Sequence, residues 1–398
     1  MHVLILSQIF PPDLGGSATR AYNIARGLVL NRMKVTVIAG FPHYPTGNVP
    51  KKLRRRALSI DNMDGFNLVR TFIPPLSAKG LANRMILFLS FIISSIFPIF
   101  IIRKIDIIYA SNPQIFSILP ALLYKVFHRC PIILNVDDLW PEDPEDLGLI
   151  KSNFLKDMGK VMAKIAYTIA DAITPISPGY VKVICEKYSI TYKKVHVVRG
   201  GVDARRFKPT TIKKSGKFIV LYSGAFSVAY DFNQVIKAAK LLEQYRDIEI
   251  VLQGSGELID SAMKSVKELN IKNIRIIDRV LSRNEVAELL NQADVLLLPL
   301  RSFKRPYLGI SSKLYEYQAV GKPIICCAEG QPAEYVQNTN SGIVVRPGDY
   351  KALAEAILYL KENKEVREKM GISGRLFVEN NLSIEKVGEK MVAVFSSL

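Results

Sequence analysis

The chain has 398 residues, 49% of them hydrophobic and 23% charged, and its 54 Lys and Arg against 36 Asp and Glu give a formal net charge of +18. That length suits two domains better than one, and the apolar content excludes a disordered chain. Cys130, Cys185, Cys326 and Cys327 show no metal-ligand or paired spacing, which fits a reducing compartment.

The charge is uneven. Residues 1–208 hold 28 Lys and Arg against 14 Asp and Glu, whereas residues 209–398 hold 26 against 22. The excess gathers at Lys51, Lys52, Arg54, Arg55 and Arg56. Nucleic acid or an anionic membrane face would each explain it, but no nucleic-acid-reading motif and no aromatic interleaving accompany the basic runs. The membrane is therefore the expected partner.

In chain order, Met1–Ser7 is apolar but breaks at Pro11-Pro12 too early for a secretory signal, and reads as the first buried strand. The loop PPDLGGSATR is glycine-rich without being the G-x-G-x-x-G fingerprint. Gly15 and Gly16 permit close approach of a ligand, and Ser17 is placed to cap a helix running to about Asn31; a plain tight turn is the other reading. KVTVIAG and FNLVRTF continue a strand-helix alternation that predicts a parallel sheet covered on both faces. Residues 85–102 (MILFLSFIISSIFPIFII) read as one apolar helix, bracketed by Arg84 and by Arg103-Lys104. A true span is opposed by the strands expected on both sides of it, which leaves a dip into one leaflet or a buried layer. After IDIIYAS and PIILNV comes DDLWPEDPEDLG, an acid-rich loop at a strand's carboxyl end that holds the only tryptophan.

A polar, unpatterned stretch, TTIKKSGK, marks the boundary between domains at 1–208 and 209–375, with a terminal helical region at 376–398. The second domain repeats the alternation: the Ser223-Gly224 turn, Gly254-Ser255-Gly256 and Arg279-Val280 each follow a strand. The richest stretch is Pro299–Val336. A strand enters it, a loop supplies Arg301, Lys304 and Arg305, and a helix is predicted from about Ser312 to Val320, stopped by Gly321 and Pro323. Ser311 and Ser312 are candidate N-caps, and Ser311-Ser312-Lys313 bring amides, hydroxyls and a cation to a helix start suited to phosphate. Glu316, one turn on, can reach back to accept hydrogen bonds from ribose hydroxyls. A solvated basic loop with an ordinary first-turn acid is the bland alternative.

SSKLYEYQAVGKPIICCAEGQPAEYV resembles the C-terminal signature of retaining glycosyltransferase family four, and specifically its N-acetylfucosaminyltransferase-like group. FPPDLGGSATRAYNIARGL, AGFPHYPTG, VDDLWPED and SGIVVRPGDYKALAEAI lie where that group has similar strings, so the resemblance covers nearly the whole chain. It implies an α/β chain of GT-B fold, with two Rossmann-like domains whose parallel sheets face a central cleft and a last helix returning to the first domain. The implied reaction is retaining transfer of a hexosyl or N-acetylhexosaminyl group from a nucleotide-diphosphate sugar, UDP-linked, to a hydroxyl acceptor. No metal or other cofactor is implied; the basic cluster at 51–56 and the apolar stretch 85–102 make a lipid-linked saccharide or polyprenyl carrier in surface polysaccharide assembly the expected acceptor. The expected location is cytoplasmic, attached to the inner face of the cell membrane.

The same resemblance assigns Gly15, Gly16, Ser223, Gly224, Gly254, Arg279, Val280, Arg301, Lys304, Arg305, Ser311, Ser312, Lys313, Leu314 and Glu316 to the donor, and Arg20, His43 and Asn112 to the acceptor side. Asp137 and Asp138 are candidates to orient the acceptor hydroxyl or take its proton, with a structural cap as the other reading of Asp138. As adjacent residues they do not converge on one ion without further ligands. Two departures stand out. Leu308 occupies the place of the first acid of the family's E-x7-E motif, and Ala225 to Tyr230 lack the basic residues that many members carry after the Ser-Gly turn. A sugar-nucleotide epimerase of the same architecture and a non-catalytic membrane-binding protein are the competing readings.

Overall fold

The computed structural model describes residues 1–44, 46–78, 80–148, 150, 152–211 and 216–398. The chain forms two compact units, Met1–Gly201 with Ile384–Leu398, and Val202–Ser383. Each is a parallel-sheet, Rossmann-like α/β domain.

The first unit contains β1 (His2–Ser7), α1 (Gly16–Leu30), β2 (Lys34–Gly40), β3 (Leu58–Met63), β4 (Phe66–Thr71), α2 (Leu81–Ser94), β5 (Ile107–Asn112), α3 (Ile118–His128), β6 (Ile132–Val136), α4 (Glu142–Asp146), α5 (Asn153–Ile169), β7 (Ala172–Pro175) and α6 (Pro178–Lys182). The strand order is β3-β4-β2-β1-β5-β6-β7. β1 pairs in parallel with β2 (Val3 opposite Val35) and β5 (Val3 opposite Ile107), so the order reverses at β1 and the loop after it opens at the switch point. Uninterrupted burial of HVLILS follows from helices covering both sheet faces. Only β3 runs antiparallel. It is a polar edge strand joined to β4 by Asp64-Gly65, both at positive φ (46° and 89°), as a type I′ hairpin turn requires.

The sequence expectation of one helix over 85–102 is corrected. α2 ends at Ser94, the Ser94 and Ser95 hydroxyls bond back to the carbonyls of Phe91 and Ile92, and a separate short turn follows at Phe97–Phe100 around Pro98. Nor is the helix a buried layer: Leu87 and Phe91 are in the core while Ile86, Leu89 and Ile93 are exposed. Among the described residues one stretch, Ala82–Phe100, is long and apolar enough to cross a membrane, but β4 before it and β5 after it belong to one sheet. Ser17 does not cap α1, which begins at Gly16 with Gly15 (φ 125°) at the cap position.

The second unit contains β8 (Phe218–Ser223), α7 (Phe232–Leu241), β9 (Ile248–Gly254), α8 (Ile259–Glu268), β10 (Ile274–Asp278), α9 (Arg283–Gln292), β11 (Val295–Pro299), α10 (Lys313–Ala319), β12 (Ile324–Cys327), α11 (Gln331–Asn338), β13 (Gly342–Val345), α12 (Tyr350–Glu362) and α13 (Lys364–Asn381). Its six strands are all parallel in the order β10-β9-β8-β11-β12-β13, reversing between β8 and β11. The division falls at Gly201 rather than Lys208, because Val202 and Phe207 pack into the second unit's core with Leu314 and Tyr317. Residues 212–215 of the expected boundary lie outside the described residues. The helical return to the first unit is α14 (Ile384–Ser396) alone; α13 stays with the second unit, where Arg375 Nη1 donates to the carbonyls of Ala204, Phe207 and Ala319.

α14 lies on α1 at close range. A Cβ on Gly27 would come within 2.5 Å of the Ile384 carbonyl, and one on Gly388 within 2.3 Å of the Gly27 carbonyl. Val387, Met391 and Phe395 join the core beneath β1 and α1.

Candidate active site

In the second unit the carboxyl ends of β8, β9, β10 and β11 share one sheet edge, with the N-terminus of α10 beside them. Ser223 Oγ donates to Gln253 Oε1 at 2.6 Å, and Gln253 Nε2 donates to the Arg279 carbonyl at 2.5 Å, which ties three successive loops together. Gly254 is required by proximity: a Cβ there would sit 1.7 Å from the Gly224 carbonyl oxygen. Gly224 is favoured by its backbone (φ 152°), and a Cβ there would fall 1.9 Å from Lys313 Cε, so the lysine runs directly over it.

Lys313 thus crosses the Ser223-Gly224 turn. Its Nζ donates to Tyr230 Oη at 3.0 Å and lies 5.0 Å from the Tyr230 ring centroid and 5.8 Å from that of Tyr222. Burial pushes the Tyr230 phenol up, but the Lys313 charge, with hydrogen bonds to Lys313, Ser311 and Tyr222, brings it below the ordinary tyrosine value. The cation missing from Ala225–Tyr230 is therefore supplied from α10 to the same turn.

Glu316 is buried one turn inside α10, and its Oε1 accepts from Arg283 Nη2 at 2.7 Å. Arg283 starts α9 and stacks its guanidinium 4.7 Å from the Phe207 ring centroid. Glu316 is therefore a buried, paired carboxylate rather than a solvated first-turn acid, whereas Lys304 and Arg305 of the basic loop are solvated. The expected N-cap is corrected. Ser312 is helical (φ −61°, ψ −19°) and makes no side-chain cap bond, so α10 starts at Lys313. Leu314 is a core residue and its amide donates to the Ser311 carbonyl. Arg279 turns to Glu285, the acid of the α9 capping box. Val280, Lys304 and Arg305 are exposed on the loops, whereas Arg301 Nε is buried without a hydrogen-bond partner and its guanidinium lies 5.6 Å from the Phe303 ring. Tyr230 and Arg283 were not foreseen; Arg283 follows a strand-to-helix loop at the ligand edge, which was the available signal.

In the first unit Arg20 and Asp137 meet in a buried pair, Nε to Oδ1 at 3.3 Å, and Arg20 Nη2 donates to the Thr174 carbonyl at 3.2 Å. Asp137 Oδ2 is buried without a hydrogen-bond partner. One carboxylate oxygen of Asp137 is thus fixed by Arg20 while the other is left to orient an incoming hydroxyl. Asp138 is half-buried on the following turn. The remainder of its acid-rich loop is structural: Asp143 Oδ2 accepts from Leu139 N and Tyr180 Oη, and burial pushes its carboxyl up to about 6. Glu142 Oε1 accepts from Tyr188 Oη at 2.6 Å.

His43 joins the glycine-rich loop through Asp13. Asp13 Oδ1 accepts the amides of His43 (2.8 Å) and Tyr44 (2.9 Å), the His43 ring Nδ1 donates to the Phe41 carbonyl at 2.7 Å, and Nε2 faces the Gln8 amide at 3.4 Å. Burial lowers the His43 pKa against the opposing pull of Asp13. The ring is thus neutral with its proton on Nδ1. Gly15 lies beside Tyr44, so loop and histidine form one wall. Asn112 ends β5 opposite Ser7, and its side chain lies outside the described residues. Among the described residues no group of three His, Cys, Asp or Glu is gathered as a metal site.

Residues 203–377 match the family model for Glycosyl transferases group 1, and residues 14–206 that for Glycosyltransferase Family 4. Two Rossmann-like domains carrying these matches define a GT-B glycosyltransferase. The chain belongs to the glycosyltransferase family 4 superfamily. It is similar to the MMP alpha-(1->4)-mannosyltransferase of Mycolicibacterium hassiacum, 25% identical over 237 residues, covering 59% of this chain and 56% of that protein. It is also similar to a GDP-mannose-dependent monoacylated alpha-(1-6)-phosphatidylinositol monomannoside mannosyltransferase of Corynebacterium glutamicum, 27% identical over 217 residues, covering 50% of this chain and 55% of that protein. The matched part spans little more than half the length of these relatives. Among solved structures, Anabaena HepE in complex with UDP and glucose has the same fold, with a TM-score of 0.69 at 16% identity, covering 100% of this chain and 99% of that one.

Proposed function

We propose that this chain transfers a hexosyl or N-acetylhexosaminyl group from a UDP-sugar to a hydroxyl of a lipid-linked saccharide or polyprenyl carrier, with retention and without a metal, in surface glycan assembly. The observation that carries the reading is the placement of Lys313 across Gly224 with Glu316 one helical turn further on. One residue offers a cation to a diphosphate, and the other offers a carboxylate to ribose hydroxyls. In this reading Lys313, with Arg301, stabilises the charge that develops on the leaving diphosphate, while the Arg20-held Asp137 orients the acceptor hydroxyl. The N-acetylfucosaminyltransferase-like group is the subdivision proposed, and the cytoplasmic face of the cell membrane the location.

UDP is favoured by its presence in HepE, and GDP by the name of the corynebacterial relative. A thermal-shift panel of UDP- and GDP-sugars decides, because a ligand that binds only the folded state raises its melting point. Stabilisation by UDP-sugars in the parent, diminished in Glu316→Ala, is expected. Stabilisation by none of the panel overturns the reading, and a sugar that is bound but only isomerised returns the epimerase. The anomeric configuration of the product, followed by NMR, tests retention.

A further inference from the structure

We propose that the first unit docks flat on an anionic lipid bilayer through one apolar surface made by α2, α3 and α5 together, not through the 85–102 stretch alone. The inference rests on the lipid-linked acceptor reading but adds two helices which that reading does not require.

Each of the three helices has an apolar inner face and a second, outward apolar stripe at helical spacing. On α3 the outward residues are Leu119, Leu123, Val126 and Phe127, with Val126 76% exposed. On α5 they are Phe154, Met158, Val161 and Ile165, with Phe154 74% exposed. Ile86, Leu89 and Ile93 do the same on α2, continued by Phe97 and Phe100, the latter 80% exposed. A water-facing helix ordinarily places polar residues there, and adjacent apolar stripes mark an interaction surface.

The three helices that carry the stripes pack on one side of the sheet. Phe88 of α2 packs 5.7 Å from Phe116, just before α3; Phe116 packs 5.9 Å from Trp140; and a Cβ on Gly159 of α5 would come within 3.3 Å of the Trp140 ring. α1 and α14 share the core on the other side.

Charge selects the occupant. From Gly80 to Cys130 the basic residues are Arg84, Arg103, Lys104, Lys125 and Arg129 against the single acid Asp106, and α5 has Lys156, Lys160 and Lys164 against Asp157. Lys125, Lys156 and Lys160 pair with Asp171, Glu145 and Asp157, and the remainder leave a positive rim. A second copy of the chain would bring that rim against itself, whereas anionic headgroups complement it, with apolar side chains entering the headgroup boundary.

The test is flotation of the full chain with phosphatidylcholine vesicles with and without phosphatidylglycerol, at low and high salt. The variants are Phe154→Ser with Val161→Ser on α5, Val126→Ser with Phe127→Ser on α3, and Leu89→Ser with Ile93→Ser on α2. All six positions are exposed, and melting curves check that the fold survives. The parent should float with anionic vesicles and keep a bound fraction in high salt, and each pair should weaken partitioning by about tenfold or more. If the α3 and α5 pairs float like the parent while the α2 pair is released, the three-helix surface is overturned and α2 alone meets lipid. A parent that does not float, but forms a dimer which these substitutions dissolve, overturns the bilayer in favour of a second copy. A parent that neither floats nor self-associates overturns docking altogether. UDP-sugar stabilisation of the same samples shows whether the glycosyltransferase reading has failed with it.

Discussion

Arg283 and Glu316 lie 33 residues apart in sequence, yet Nη2 of one donates to Oε1 of the other at 2.7 Å. The carboxylate offered to a ribose is thus already held, and a nucleotide arriving there must share Oε1 or use the second oxygen. Glu316→Ala should weaken UDP binding by about 1.5–3 kcal/mol, roughly 10- to 150-fold in Kd. Arg283→Met, which removes the competing donor, should bind UDP no more weakly than the parent. Titration calorimetry with UDP and uridine measures both, and equal affinities in parent and Glu316→Ala would end the ribose assignment.

Lys313 and Gly224 are coupled sterically. Gly224→Ala places a methyl where Lys313 Cε runs, so it should lower UDP affinity through the lysine, as Lys313→Met does directly, with uridine affinity changed little in either. Because the steric part of Gly224→Ala acts through the lysine, while its φ of 152° adds a separate backbone strain, the double variant should lose less than the sum of the single losses. Additive losses would show that Gly224 acts independently.

The Arg20–Asp137 pair is buried, so removing one partner strands the other. Arg20→Met should destabilise the first unit by about 3–5 kcal/mol, and adding Asp137→Asn should recover much of the loss. Denaturant unfolding measures this. With Asp137 committed to Arg20, activity should survive excess EDTA; its loss and restoration by a divalent ion would reassign Asp137 as a metal ligand.

Burial lowers the His43 pKa, so as pH falls through the ordinary histidine range the unfolded chain takes up a proton that the folded chain refuses. Stability from this residue is therefore present above that range and lost below it. His43→Asn should lose less melting temperature than the parent between pH 7.5 and 5.5. Asp13, whose carboxyl burial pushes up against the opposing pull of His43, titrates with the opposite sign, so Asp13→Asn is the companion variant that separates the two contributions.

The alternation of apolar runs made both sheets legible, because parallel strands covered on both faces leave no room for polar residues; β3 escaped because it is a polar edge strand, although its Asp64-Gly65 turn was a readable signal. Glu316 and Lys313 were legible from their places around a helix start. Their partners were not: Tyr230 lies 83 residues from Lys313, and no local pattern links the two. The break at Ser94-Ser95 was hidden in the same way. Composition alone says that 85–102 is apolar, whereas the serine hydroxyls bonding back to the helix decide where it stops.

The glycine contact between α1 and α14 has a consequence for the order of folding. Residues 1–201 are made first, but the surface beneath α1 that Val387, Met391 and Phe395 occupy is closed only after 182 intervening residues, Val202 to Ser383, have been synthesised. The uninterrupted second unit can therefore complete its core before the first does, and a chain cut after Ser383 would carry a finished second unit beside a first unit with an open seam. Because two glycine backbones set the fit of that seam, an alanine at Gly27 or Gly388 should slow the final closure and leave the early core intact.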